Sequence, residues 1–323
     1  MKGKPYEKLG IFYRKRENGE RGYRKRGIFG GTRGIAMILF TMIWGTLLQG
    51  QTTSFTDTYT GQGSGASTCN TTFNITGQEP AASGTFPVFI YTVGTSESFN
   101  NNGAEAAAVS GMAARGFVAA SIQYDSGQFG NCTQISGKAR CIFNPASAAS
   151  AISKLCSRTK ADCNKGVLVG GFSQGAVIAT LARNVDARVQ AAWGMGDGVS
   201  YSTFNLNACM ANGNRSLASD HLRVVNGQAD QFLGPQIASV RNQSQTLTGF
   251  NCGSSATSCL QSNGSGWIIV LNTQVRSGRA DHCYMRTNGC LSSQTSNDPG
   301  WLNGTDPWEL NANLNWLSGF VLP

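Results

Sequence analysis

The chain has 323 residues, of which 40% are hydrophobic and 13% are charged, with 41 glycines, ten cysteines and two histidines. It is too apolar for a disordered chain, has too few prolines for a collagen, and has no run rich enough in Ala, Glu, Lys, Leu and Arg for a long coiled coil. The length allows one globular domain with a full hydrophobic core.

The net charge of +9 is concentrated at the amino terminus. Residues 1–50 hold 11 Lys and Arg against 3 Asp and Glu, which leaves about +1 on the rest of the chain. A nucleic-acid site needs a basic stripe on the folded domain, and the only local excess lies within residues 138–165. We interpret this stretch as a solvated face and predict no nucleic-acid partner. Its cations are Lys138, Arg140, Lys154, Arg158, Lys160 and Lys165.

Residues 1–50 have the layout of a secretory leader. A basic, glycine-rich stretch ends at Arg33, an uncharged apolar run extends from Ile35 to Leu48, and polar residues follow. The run is shorter than the roughly 20 residues that a membrane-spanning helix needs. We therefore predict a basic leader with a signal peptide that is cleaved near residue 50, a secreted or periplasmic location, and no stable membrane partner after cleavage. A retained membrane anchor is the alternative.

Residues 51–323 alternate between strand-like and helix-like segments, which predicts a single α/β domain with a mostly parallel central sheet and helices on both faces. Residues 51–80, rich in Thr and Ser, predict edge strands. Residues 126–144 and 248–265 carry cysteines and predict surface insertions that disulfides hold in place. The other predicted strands are residues 85–93, 117–124, 166–170, 189–193, 222–225 and 267–271, and the predicted helices are residues 105–115, 145–156, 176–183 and 236–247.

All ten cysteines lie after residue 68, in agreement with export to an oxidising compartment. A zinc site would favour closely spaced Cys-x-x-Cys pairs, which the sequence lacks, so we predict disulfides and no metal. The sequence does not determine the connectivity. The pairs that we predict are Cys132–Cys141, Cys156–Cys163, Cys252–Cys259, Cys283–Cys290 and Cys69–Cys209.

The sequence Gly171-Phe172-Ser173-Gln174-Gly175 follows a predicted strand directly and precedes a predicted helix. A Gly-x-Ser-x-Gly motif between a strand and a helix is typical of a nucleophile elbow. Glycines suit positions 171 and 175 because the tight turn brings the strand and helix backbones close together. The motif predicts Ser173 as a nucleophile, and a Gly-Ser turn without function is the alternative.

A serine hydroxyl needs a base to remove its proton, and the chain offers His221 and His282. His221 directly precedes the strand at 222–225, at the opposite end from the one where sites form in parallel sheets. His282 lies in a polar loop after the last predicted strand, at the end where sites form. We predict His282 as the base.

The imidazole in turn needs a carboxylate to orient it. Asp230 follows the strand at 222–225 and gives the chain order nucleophile, acid, base that is expected with this elbow. Asp197, after the strand at 189–193, is the alternative. Asp281 adjoins the histidine and is expected to cap or solvate its loop.

These residues resemble the α/β-hydrolase superfamily. Gly-Phe-Ser-Gln-Gly-Ala at 171–176 is similar to the elbow of cutinases and related carboxylesterases, and secreted polyester depolymerases and acetyl-xylan esterases are similar in fold and elbow. The resemblance covers roughly residues 80–320. It implies an oxyanion hole formed by the amide of Gln174 and an amide of the turn at 93–97, where Thr95 is the candidate and its hydroxyl can assist. Unlike a cutinase, the chain is long, rich in cysteines and without cysteines flanking Asp230.

The combined prediction is a secreted serine carboxylesterase that forms an acyl-enzyme on Ser173 and needs no cofactor. Its expected partner is an ester substrate, including polymeric polyesters or polysaccharide esters. A serine peptidase on the same fold and a binding protein without catalytic activity are the alternatives.

Overall fold

The computed structural model describes residues 50–323 except 67–68, 70, 101–102, 292–295 and 322–323. The predicted leader, apart from Gly50, lies outside the described residues. Among the helices that are described, none has the length and apolar character needed to cross a bilayer.

Nine of the described strands form one sheet in the order β1-β2-β4-β3-β5-β6-β9-β11-β10. The six central strands from β4 to β11 run parallel, whereas β1, β2 and β10 add antiparallel edges. A short hairpin, β7 with β8, lies apart from the sheet. The strands are β1 Thr52–Tyr59, β2 Phe73–Pro80, β3 Val88–Thr92, β4 Val118–Ile122, β5 Val167–Phe172, β6 Val189–Met195, β7 Ser200–Tyr201, β8 Phe204–Asn205, β9 Leu222–Gly227, β10 Ser258–Leu260 and β11 Gly266–Val270.

The central strands are apolar because they are covered on both faces. Every residue of β3, β4, β5, β9 and β11 is buried, as expected of a parallel sheet between two helical layers. One helical group joins α1, α7 and α8, and another joins α2, α3 and α4. The helices are α1 Ala104–Ala113, α2 Cys132–Phe143, α3 Ala151–Cys156, α4 Gln174–Leu181, α5 Asn207–Met210, α6 Ile237–Thr248, α7 Pro299–Asn303 and α8 Leu310–Ser318.

The predicted α/β class, the parallel sheet and the edge strands at 51–80 are confirmed, but the region between β4 and β5 differs from the prediction. Residues 132–143, predicted as an insertion, form α2, which Asn131 and Gln134 cap reciprocally. The helix predicted from residue 145 begins only at Ala151, where the Ser150 side chain accepts from the Ser153 N–H. Both helix starts follow a capping residue that is visible in the sequence.

Two of the five predicted disulfide pairs are wrong. The structure joins Cys69 to Cys141 and Cys132 to Cys209, whereas the prediction had Cys132 with Cys141 and Cys69 with Cys209. The physical reason is α2: Cys132 and Cys141 lie at opposite ends of this helix, about 13 Å apart at 1.5 Å per residue, which is too far for a disulfide. The structure has the other three pairs as predicted, Cys156–Cys163, Cys252–Cys259 and Cys283–Cys290.

Candidate active site

Ser173 occupies the turn between β5 and α4. Its φ of 54° and ψ of −123° are a conformation that is costly for a residue other than glycine. A Cβ on Gly171 would lie 2.5 Å from the carbonyl carbon of Gly175, and a Cβ on Gly175 would lie 2.1 Å from the carbonyl oxygen of Thr92. Only glycine fits at both positions, and the resulting tight turn presents Ser173 at the carboxyl end of β5.

His282 and Asp230 meet at the same end of the sheet. His282 lies in the loop after β11, and its Nδ1 is 2.6 Å from Oδ2 of Asp230, which follows β9. Both side chains are buried. Because a carboxylate only accepts hydrogen bonds, Nδ1 donates, and in the neutral imidazole Nε2 then carries the lone pair. Nε2 is buried and has no hydrogen-bond partner among the described residues, so no hydrogen bond joins it to Ser173 in this structure.

The Asp230 carboxylate is held by its own loop. Its Oδ1 accepts from the backbone N–H groups of Phe232 and Leu233 at 2.9 and 3.2 Å, which leaves Oδ2 to bind the imidazole. The Phe232 ring, 44% exposed, packs edge-on against His282 with centroids 4.7 Å apart. One loop therefore fixes the acid and covers one side of the base.

The loop of His282 is fixed on both sides of the histidine. The carboxylate of Asp281 accepts from the N–H groups of Cys283 and Cys290, each at 2.9 Å, and these two cysteines form a disulfide. Asp281 thus caps its loop, as the sequence suggested. On the other side, a Cβ on Gly196 would lie 2.6 Å from Cε1 of His282, so the imidazole packs directly on the backbone.

Ser173 and His282 line one cavity of about 590 Å³. Its lining is mostly apolar, and the rings of Phe129, Tyr201 and Phe204 form one wall, with centroids 4.5 and 5.5 Å from Phe129. The Cys132–Cys209 disulfide joins the segments that follow Phe129 and Phe204. Sequence reasoning missed this wall, because Phe129 precedes α2 whereas Tyr201 and Phe204 belong to the β7–β8 hairpin, and only the tertiary structure brings them together.

The two candidate oxyanion donors lie beside this cavity. Gln174 is the first residue of α4, so its N–H is one of those that intrahelical bonding leaves without a partner. Thr95 lines the cavity, and its Oγ1 accepts from Nε2 of Gln174 at 2.9 Å. The structure therefore brings the two predicted donor residues into direct contact.

The alternative acid Asp197 is buried but has other partners. Thr180 Oγ1 donates to its Oδ2 at 2.8 Å, and the Asn226 side chain bonds its backbone N–H and carbonyl. Burial raises the pKa of Asp197 to about 7, against the lowering effects of the Thr180 hydrogen bond and the Arg215 charge. No hydrogen bond joins Asp197 to His282 in the described part of the chain.

His221 lies at the opposite end of β9 from Asp230, and Lys138 is buried. His221 directly precedes β9, and its Nδ1 lies 2.6 Å from the carbonyl oxygen of Gln190. The interpretation of residues 138–165 as a solvated face is wrong for Lys138, which is 4% exposed. The reason is α2, whose inner side packs on α4 and carries this lysine inward.

One group of potential metal ligands is found among the described residues, namely Asp281, Cys283 and Cys290. The two cysteines are bonded to each other, so neither offers a thiolate, which is the form that binds metal. The arrangement fits a capped disulfide loop.

No family model and no curated protein matches the chain. Among solved structures, the chain is similar to a cold-adapted esterase from an Arctic intertidal metagenomic library, solved as a PEG-bound complex. The TM-score is 0.51 at 11% sequence identity, and the alignment covers 84% of this chain and 95% of that one. Together with the parallel sheet and its helical layers, this likeness identifies the fold as that of the α/β-hydrolases.

Proposed function

We propose that the protein is a secreted serine carboxylesterase with Ser173 as nucleophile, His282 as base and Asp230 as the acid that orients the base. The observation that carries the proposal is the 2.6 Å His282–Asp230 pair, whose imidazole shares a cavity with a serine on a strained elbow. A buried pair of this kind beside a nucleophile is the arrangement that acyl transfer requires.

The reaction proceeds in two halves. Ser173 Oγ attacks the ester carbonyl carbon while Nε2 of His282 takes its proton, and the carbonyl oxygen becomes an oxyanion. The intermediate collapses to an acyl-enzyme, and the alcohol leaves with the proton from His282. Water then attacks the acyl-enzyme by the same route, which releases the acid and restores Ser173.

The oxyanion of each intermediate is bound by the N–H groups of Gln174 and Thr95. Such donors stabilise charge that develops only during the reaction, and the loss of one costs about 10²- to 10³-fold in kcat. Asp230 holds the imidazole with Nδ1 protonated and stabilises its cation, so that Nε2 faces the reacting groups.

The lining of the cavity supports a neutral ester with an apolar or aromatic group as substrate. The wall of Phe129, Tyr201 and Phe204 offers ring faces, and two charged groups of the lining, Glu97 and Arg286, bind each other. A polyester such as those that cutinase-like enzymes hydrolyse meets this description better than a carbohydrate ester, because the wall offers few polar groups to a sugar.

Export is supported by the cysteines. The described residues contain five disulfides and no free cysteine, a pattern of oxidising compartments. We propose that the leader directs the protein there and is removed.

The test compares matched substrates. The purified protein and its Ser173→Ala variant are assayed on an aromatic ester and on the amide of the same acid. We expect rapid hydrolysis of the ester, slow or no hydrolysis of the amide, and loss of both in the variant. Faster turnover of the amide would indicate a peptidase, and no turnover of either by folded wild-type protein would indicate a binding protein.

A further inference from the structure

Lys138 is a buried cation directly behind the proposed oxyanion hole. Its Nζ donates to Oε1 of Gln174 at 3.0 Å, to the carbonyl oxygen of Phe129 at 3.3 Å and to the carbonyl oxygen of Gln128. These three bonds use the three donors of an ammonium group. The lysine is therefore fixed in one position, on the inner side of α2.

This position is costly for a charged group. Lys138 makes no ion pair among the described residues, and burial lowers its pKa, with Asp125 acting in the opposite direction. Placing an ammonium in the interior without a contacting carboxylate costs free energy that an apolar residue would not. A methionine of similar length would fill the same space, so packing alone does not account for a lysine.

Lys138 and the Gln128 carbonyl oxygen together determine how the Gln174 amide is oriented. An ammonium can only donate, so the amide oxygen of Gln174 must face Lys138 and its NH₂ group must face the other way. That NH₂ group donates to Thr95 Oγ1 and to the carbonyl oxygen of Gln128, each at 2.9 Å. The Thr95 hydroxyl must therefore act as the acceptor toward Gln174.

The consequence concerns the hydroxyl proton of Thr95. Its oxygen already accepts from Gln174, and the hydroxyl has no acceptor among the described residues. The O–H group is therefore free to donate into the cavity that Thr95 lines together with Ser173. If the amide were reversed, its oxygen would face Thr95 and would itself attract this proton.

We propose that Lys138 is a positioning residue of the oxyanion hole, which acts through the Gln174 side chain to keep the Thr95 hydroxyl as a donor toward the substrate carbonyl oxygen. The inference rests on the proposed esterase function and deepens it. The Lys138 ammonium also holds the backbone carbonyl groups of Gln128 and Phe129, and Phe129 carries one ring of the aromatic wall.

The central experiment replaces Lys138 with methionine. Lys138→Met keeps the length of the side chain but removes the donor that holds both the Gln174 amide oxygen and the Gln128 carbonyl oxygen. We expect kcat on an aromatic ester to fall about 10- to 100-fold, less than the loss of a backbone donor, while KM changes less than about threefold. Active sites are counted with a fluorophosphonate, so that kcat refers to folded enzyme.

Lys160→Met is the matched control. Nζ of Lys160 also makes three hydrogen bonds, here to the backbone carbonyl oxygens of Pro80, Ala81 and Ala82, but Lys160 does not line the cavity. Lys160 is half-buried whereas Lys138 is buried, so this control tests the loss of a lysine that makes three hydrogen bonds away from the cavity. We expect Lys160→Met to keep the kcat of the wild type.

A double-mutant cycle with Thr95→Val tests whether Lys138 affects kcat through the Thr95 hydroxyl. Thr95→Val removes the hydroxyl and keeps the backbone N–H. If Lys138 acts through this hydroxyl, Lys138→Met should lower kcat by less than about twofold in the Thr95→Val background. If Lys138→Met does not fold, Gln174→Met breaks the same connection and should show the same loss and the same dependence on Thr95.

The outcomes separate the two proposals. An unchanged kcat in folded Lys138→Met would overturn the role of Lys138. So would a double variant whose loss in kcat equals the product of the losses in Lys138→Met and Thr95→Val. Either result would leave the esterase proposal intact. A folded wild-type protein without ester hydrolysis would overturn the esterase proposal, and the inference with it.

Discussion

The loops after β6 and β9 each carry a buried aspartate, but the two carboxylates lie in different surroundings. Asp230 has two backbone N–H donors on one oxygen and an imidazole on the other. Asp197 has a threonine hydroxyl and a pKa raised by burial to about 7. A buried carboxylate at the carboxyl edge of the sheet is therefore not sufficient for the proposed chemistry. The loop after β11 distinguishes the two carboxylates, because it brings His282 to Asp230 and not to Asp197.

The largest expected effect distinguishes the two histidines. His282→Ala should lower kcat/KM for an ester about 10⁵- to 10⁶-fold, since Ser173 then lacks its base. His221→Ala should keep most activity, because His221 lies at the other end of β9 beside Gln190 and Phe320. Initial rates of both variants check this. A dead His221→Ala variant with an active His282→Ala variant would relocate the base.

The next effect distinguishes the two aspartates. Asp230→Asn should lower kcat about 10⁴-fold, because an amide at this position favours the wrong imidazole tautomer. Asp197→Asn should retain activity within about tenfold, because no hydrogen bond joins this side chain to His282 among the described residues. Steady-state kinetics of the two variants at one pH give the comparison. The reverse ranking would assign the acid to the loop after β6.

A smaller effect is expected from the disulfide beside His282. Cys283→Ser with Cys290→Ser should fold but lose about three- to tenfold in kcat per active site, because a less restricted loop misplaces the base. Cys252→Ser with Cys259→Ser is the matched control, since its loop has the same separation of 7 residues but does not line the cavity.

Both double variants should lose a similar stability, about 2–3 kcal/mol in the entropic account of disulfides. Thermal melts measure this loss, and active-site titration separates it from kcat. Equal kcat in the two double variants would show that the Cys283–Cys290 bond serves folding alone.

Asp197 is expected to affect stability and not activity. Its folded-state pKa of about 7 lies above the unfolded value of about 3.9, so the folded state holds a proton that the unfolded state releases. The contribution of Asp197 to the free energy of unfolding is therefore greatest at low pH. It is lost as pH rises from about 4 to about 7, by no more than about 4 kcal/mol. Asp197→Asn should remove this dependence.

Urea denaturation at pH 5 and pH 8 measures the prediction. The free energy of unfolding of the wild type, relative to Asp197→Asn, should be smaller at pH 8 than at pH 5. A difference that does not change with pH would mean that Asp197 is ionised in the folded protein at both values.

The features that the sequence predicts are those encoded in one continuous segment of the chain. The elbow at 171–175 is a local signal, since its strand, turn and helix are continuous in the chain, and the parallel strands follow from apolar runs. The capping residue Asn131 was a local signal for α2 that the sequence interpretation missed. Once α2 is recognised, its length excludes a Cys132–Cys141 bond.

The remaining features depend on contacts between distant segments. The Cys69–Cys141 and Cys132–Cys209 bonds span 72 and 77 residues, and no spacing rule selects them from the alternatives. The burial of Lys138 depends on how α2 packs on α4, and the aromatic wall depends on the hairpin of β7 and β8. These features surround the predicted site residues and require the tertiary structure.

The most direct test of the account is to locate the nucleophile. Wild-type protein is treated with a fluorophosphonate and digested, and the modified residue is identified by mass spectrometry. We expect one modified serine, Ser173, with labelling that is much slower in His282→Ala and absent in Ser173→Ala. Labelling of another residue, or no labelling of the folded wild type, would contradict the proposed Ser173–His282–Asp230 site.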